Sequence, residues 1–102
     1  MSIKPITPSD IIEVKERLFP DFVLETWNKM IARKFSHGQA IIIQEEIVQA
    51  LMLAGDIKRN VIFEFGYLDI EEIYRNGGWQ VYYYSSPGFG LDDPYFVFIK
   101  SK

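Results

Sequence analysis

Between residues 22 and 35 apolar side chains return at steps of three and four: Val23, Leu24, Trp27, Met30, Ile31 and Phe35. That period gathers them on one face and predicts an amphipathic helix. Glu25, Lys29 and Arg33 follow one another at four-residue steps on the opposite face, where an ion pair contributes only about 0.2 to 0.5 kcal/mol. An earlier helix is predicted in "TPSDIIEVKERLFP". There Thr7 can cap, Pro8 takes the first helical position, and Asp10 lies near the positive end of the dipole. Ile11, Ile12, Val14 and Leu18 supply its apolar face until Pro20 ends the run. His37 precedes Gly38, the expected left-handed residue that closes the helix over 22–35.

The period then changes. Ile41, Ile42 and Ile43 favour a short buried strand, because branched side chains pack well on a pleated surface. Glu45 and Glu46 next open a helix carrying Ile47, Val48, Leu51 and Met52, with Gly55 as its terminator. Residues 57–65 are pulled two ways: Val61, Phe63, Phe65 and Tyr67 alternate as a strand would, whereas Asp56 can cap a helix. We read a short helix. In "LDIEEIYRNGGW" Asp69 and Glu72 stand in the cap-to-third-residue relation, Ile70, Ile73 and Tyr74 share a side, and Gly77 terminates two helical turns. Glu71 and Glu72 do not read as an acid–base pair, because helix neighbours point roughly 100° apart and both belong to a first turn, where carboxylates favour the dipole.

Residues 77–100 hold eight of the sixteen aromatic residues. They predict an antiparallel hairpin, with strands over 79–85 and 95–100 joined by a loop over 87–94. Alternation places Trp79, Val81 and Tyr83 on one face and Gln80, Tyr82 and Tyr84 on the other; on the return strand Tyr95, Val97 and Ile99 oppose Phe96 and Phe98. A hairpin apolar on both faces is covered by helices, pairs with a copy of itself, or offers tyrosines to a partner. The elements add up to an α+β fold in one domain over residues 1–102, helices first and a C-terminal antiparallel β-hairpin last. From the second helix onward their succession is winged-helix-like with an extra short helix.

Composition narrows the function classes. The chain is 48% hydrophobic and 25% charged, ordinary globular usage, without low-complexity tracts. The absence of cysteine excludes disulfides, thiolate metal sites and cysteine nucleophiles, and suits a reducing cytoplasm. No apolar run approaches the roughly 20 residues of a membrane-spanning helix, and "MSIKPITPSD" lacks the apolar core of a secretory signal. The net charge of −3 comes from the carboxyl half: residues 60–102 carry three basic and six acidic side chains, against eight of each in residues 1–59.

Candidate chemistry is sparse. His37 is the only histidine and has no second ligand or orienting acid at a defined spacing, so neither a metal nor a general base is indicated. The "GFG" of the loop has no lysine nearby to make a phosphate loop, and Asp92 with Asp93 lacks the further oxygen ligands of a calcium loop. We therefore expect no cofactor, no catalytic residues and no enzymatic activity. The expected partner-binding residues are Trp79, Tyr82, Tyr84, Phe89, Asp92 and Asp93 on the hairpin and its loop. They point to a protein partner, or to a second copy in a homodimer. The alternative is a winged-helix nucleic-acid binder using Lys29, Arg33, Lys34, Lys58 and Arg59. In it residues 57–65 would enter the major groove and residues 85–94 would form the wing. Its charges oppose it, since Glu64 counters Lys58 and Arg59 and the wing carries two aspartates and no base.

From "GYLDIEEIYRNGGWQVYY" through "PGF" to "YFVFIK" the last third resembles a recurring block in small uncharacterised proteins of tailed bacteriophages. The shared type is an acidic–aromatic helix, then Gly-Trp-x-Val-x-Tyr, then Pro-Gly-aromatic, then an aromatic final strand. The missing catalytic constellation and the rings of the hairpin lead us to expect an accessory factor that binds a host or phage macromolecule; the resemblance itself carries over no function and implies only a setting, the cytoplasm of an infected bacterium. It assigns no catalytic residue. "YFVFIK" is less polar between its aromatics than that pattern, a departure that speaks for pairing with a copy.

Overall fold

Trp27 is where the helices and the sheet meet. In the computed structural model, which describes residues 19–85 and 93–100, its side chain is fully buried. The ring stands edge-on to Phe96, with centroids 5.0 Å apart, and lies 5.8 Å from Phe98. Its indole Nε1 donates to the Tyr67 carbonyl at 3.0 Å, so the one polar atom of the largest core side chain is satisfied. Trp27 belongs to helix α1 (Asp21–Lys34), which buries Val23, Trp27, Met30 and Ile31. This is the expected stripe, trimmed at its margins: Leu24 is half-buried, and Phe35, just past the helix end, is exposed. Asp21 in the first turn and Arg33 and Lys34 in the last complement the helix dipole. The helix expected over residues 8–18 lies outside the described residues.

Strand β1 (Gln39–Ile43) runs without a loop into α2 (Gln44–Gly55). Two short helices follow, α3 (Arg59–Glu64) and α4 (Glu71–Asn76), then β2 (Trp79–Tyr84) and β3 (Tyr95–Lys100). Residues 57–65 thus resolve to a helix, held by the burial of Ile62. The sheet order is β1-β3-β2, antiparallel throughout. The fold is α+β, with the expected succession of helix, strand, helices and C-terminal hairpin, and α4 as the added short helix.

Register decides which side of the sheet carries the core. Ala40 pairs with Phe98 and Ile42 with Phe96 on β1, while Val81 pairs with Phe98 and Tyr83 with Phe96 on β2. Directly opposed residues share a face. Ala40, Ile42, Val81, Phe96 and Phe98 join Val23, Trp27, Ile47, Val48, Leu51, Ile62 and Ile73 in one buried cluster, so the described helices pack on this inner face. The outer face carries Ile41, Ile43, Tyr82, Tyr84, Tyr95, Val97 and Ile99, and none of these belongs to that cluster.

Three element ends differ from expectation, each by one or two residues. The helix over 21–34 is not closed by Gly38. The chain instead leaves Phe35 extended and turns through His37 and Gly38, φ +53° and +83°. Ser36 and Gln39 exchange backbone hydrogen bonds of 2.7 and 3.2 Å across this turn, which has the two positive φ values of a tight primed turn. The left-handed residue after α2 is Asp56, φ +50°, and not Gly55, so Asp56 ends one helix and does not cap the next. Gly55 is needed for space: a Cβ there would lie 2.4 Å from the Phe22 ring. Helix α4 begins after Ile70, so Asp69 precedes the cap. Gly77 caps its end as expected, and the left-handed residue is the next one, Gly78, φ +100°.

Candidate interaction surface

The hairpin residues singled out in the sequence fall on two sides of the sheet. Trp79 is half-buried on the inner face, edge-on to Phe35 at 5.9 Å and to Phe98 at 6.3 Å. Tyr82 and Tyr84 lie on the outer face and are 43% and 42% exposed. Asp93 is exposed just ahead of β3, while Phe89 and Asp92 lie outside the described residues. Trp79 therefore does not share a surface with Tyr82 and Tyr84. The outer face is not uniformly open: at its centre Tyr95 and Val97 are buried, so its accessible side is the β2 side. There Tyr84 stacks on Tyr95, with centroids 5.1 Å apart and an interplanar angle of 22°. Tyr83, 43% exposed, leans on Phe96 at 4.8 Å and donates its hydroxyl to Gln44 Oε1 at 2.8 Å.

Sequence reading missed what these tyrosines border. Asp69, Glu71, Glu72 and Arg75 line an open groove of about 450 Å³ with Tyr82, Tyr83 and Tyr84. Arg75 Nη2 donates to the Val81 carbonyl at 2.6 Å. A second hollow of about 290 Å³ shares Asp69, Glu71 and Tyr83 and extends to Phe63 and Leu68. The acid pair was legible as residues, but its placement along β2 depends on the turn through Gly77 and Gly78.

The basic residues of the nucleic-acid reading are dispersed and partly neutralised. Lys34 pairs with Glu46 at 2.9 Å. Arg59 bonds both oxygens of Glu45, at 2.8 and 2.6 Å, and lies over the Phe63 ring at 5.4 Å. The hydrogen bonds from Arg59 and Gln49 hold the Glu45 carboxyl below the usual carboxylate range. Lys29 and Arg33 border a cleft with Leu53 and Ala54 of α2, whereas Lys58 precedes α3. Exposed Phe63 and Phe65 flank the end of α3, where a groove-reading helix would present polar groups. His37 is exposed, with Nδ1 2.8 Å from Ser36 Oγ.

An apolar hollow of about 410 Å³ on the helix side is lined by Asn28, Ile31, Ala32, Phe35, Tyr74 and Trp79. Tyr74 donates its hydroxyl to Asn28 Oδ1 at 2.6 Å, and burial raises its phenol above the ordinary tyrosine value. The neutral phenol thus contributes stability that is complete below the unfolded pKa of about 10 and is lost as pH rises toward the folded value. Tyr74→Phe is expected to cost about 0.5 to 1.5 kcal/mol at neutral pH through the lost hydrogen bond. It should also flatten the alkaline decline of stability above about pH 10, followed by urea unfolding at stepped pH. An unchanged alkaline slope in the variant would exclude Tyr74 as its source.

Compared with family models, with curated proteins and with solved structures, the chain matches none.

Proposed function

We propose that this chain is a small non-enzymatic interaction protein that binds a protein partner through the tyrosine-bearing strand of its sheet. The resemblance of its last third supplies the setting of this reading: a phage accessory factor working in the cytoplasm of the host bacterium. One observation carries it: Tyr82, Tyr83 and Tyr84 are consecutive, each exposes about two-fifths of its surface, and together they line one side of a groove. Tyrosine offers a large ring at low entropic cost together with a hydroxyl, and is enriched among residues that dominate binding energy. The nucleic-acid alternative is weakened by the carboxylates on Lys34 and Arg59, because phosphate binding depends on cations free to displace counterions.

The test is a photo-crosslinking residue placed at position 82 or 84, with exposed Gln49 on α2 as the control position. Capture of a discrete heterologous protein at 82 and 84 and not at 49 is expected. With that protein purified, Tyr82→Ser and Tyr84→Ser should each weaken binding by roughly thirtyfold, the size of a hot spot of about 2 kcal/mol. Equal capture at all three positions, or undiminished binding by the serine variants, overturns the choice of surface.

A further inference from the structure

We propose that the outer edge of β2 is a strand-addition site for an extended, basic segment of a partner protein. This rests on the interaction reading and specifies how the partner engages. The backbone directions follow from two hydrogen bonds on the far side of β3: Lys100 donates to the Gly38 carbonyl at 3.3 Å, and Gln44 donates to the Pro94 carbonyl at 2.9 Å. Even-numbered residues of β3 therefore turn their backbone groups toward β1, and odd-numbered ones toward β2. In the observed register the residues of β2 opposite odd-numbered partners are Gln80, Tyr82 and Tyr84. Trp79, Val81 and Tyr83 consequently direct their N–H and C=O groups away from the sheet. The Arg75 bond to the Val81 carbonyl, which comes from α4 and not from β3, agrees with this parity.

Edge strands are ordinarily blunted by lysine, proline or a bulge, because open backbone groups invite another strand. "WQVYYY" has no charged residue and no proline, and its register runs unbroken from Trp79–Lys100 to Tyr84–Tyr95. Among the described residues, the Arg75 guanidinium of α4 bonds one carbonyl of this edge, that of Val81. The groove beside it selects the occupant. An added strand would direct alternate side chains to the inner side, toward Glu71 and Glu72 of α4, and the others would extend the outer face of Tyr82 and Tyr84. Two carboxylates and the faces of tyrosine rings both favour cations. A second copy paired about a twofold axis would set Glu71 and Glu72 against the same residues of its partner, and a phosphate backbone would meet them too. A segment alternating lysine or arginine with apolar residues satisfies both the backbone and the charges.

The experiment uses the full chain, labelled with ¹⁵N, and titrates it with an alternating lysine–valine peptide of about eight residues, with the glutamate–valine counterpart as control. The expected result is slowing of amide exchange by about tenfold or more at Val81 and Tyr83, with Gln80 and Tyr82 little changed, for the lysine peptide alone. Glu71→Lys/Glu72→Lys should weaken that peptide by at least about tenfold with circular dichroism unchanged. Several results overturn the proposal: no binding up to about 1 mM, binding without protection at Val81 and Tyr83, equal binding of both peptides, or equal affinity in the charge-reversed variant. Protection of these amides that grows with protein concentration alone assigns the edge to a second copy, and shifts there with duplex DNA assign it to nucleic acid; each overturns it as well. In all of these cases crosslinking at positions 82 and 84 still reports independently on the broader interaction reading.

Discussion

Trp27→Ala is expected to destabilise the fold by about 3 to 5 kcal/mol, the range for removing a large buried aromatic and leaving a cavity. A domain of this size has a total stability of about 5 to 15 kcal/mol, so the variant sits near the limit of folding at 37 °C. The magnitude follows from position. Trp27 is fully buried, touches both inner-face phenylalanines of β3, and holds the Tyr67 carbonyl that precedes α4. Trp27→Phe separates the two contributions: it keeps most of the packing and loses the indole hydrogen bond, so a smaller cost is expected, with the Tyr67 carbonyl left without that donor. Urea unfolding monitored by circular dichroism measures both. A Trp27→Ala variant within about 1 kcal/mol of the parent would mean that the core is not organised around this side chain.

Gly55→Ala should cost about 1 to 3 kcal/mol, although alanine is ordinarily the better helix former by about 1 kcal/mol. The added Cβ would meet the end of the Phe22 ring at 2.4 Å. Phe22 has limited freedom to retreat, since its ring stands edge-on to Tyr67 at 5.9 Å, and Tyr67 is in turn edge-on to Phe19 and stacked on Phe65. The double variant Phe22→Leu/Gly55→Ala is therefore expected to be more stable than the sum of its single substitutions predicts, because the shorter side chain removes the overlap. Strict additivity in that cycle would show that the two positions do not meet.

The close approach at Gly55 also shows how far the sequence could be read. Helix α1, the isoleucine strand and the C-terminal hairpin were legible from local signals: spacings of three and four in Val23, Trp27, Met30 and Ile31, three consecutive branched residues in β1, and runs of aromatic and branched residues in β2 and β3. That Gly55 is a glycine was legible as well, but its reason was not. As a terminator it would need a positive φ, which Asp56 adopts instead, and its real constraint comes from a residue thirty-three positions earlier in the chain. The shift at Asp69 has the same origin, since a cap is fixed by dihedral angles that one neighbour can take over from the next.

The candidate surface was legible in part. Tyr82 and Tyr84 were placed on one face by alternation alone, which the register bears out. Trp79 was grouped with them by composition, although its strand parity sends it to the other side, against Phe35 and Phe98. The groove escaped notice because its walls come from separate elements, α4 and β2, joined by a turn whose left-handed glycine sets their relative direction. Alternation gives a side chain its face but does not reveal which strand has an unpaired flank. That required knowing that β3 inserts between β1 and β2.

This insertion bears on how the protein is made. β1 and β2 are not neighbours, so neither has a sheet partner until the segment that separates them in space, later than both in the chain, has left the ribosome. The tyrosine strand thus has both flanks open from its own emergence until that of β3, and for that interval any chaperone or nascent neighbour that recognises extended apolar segments competes with β3 for it.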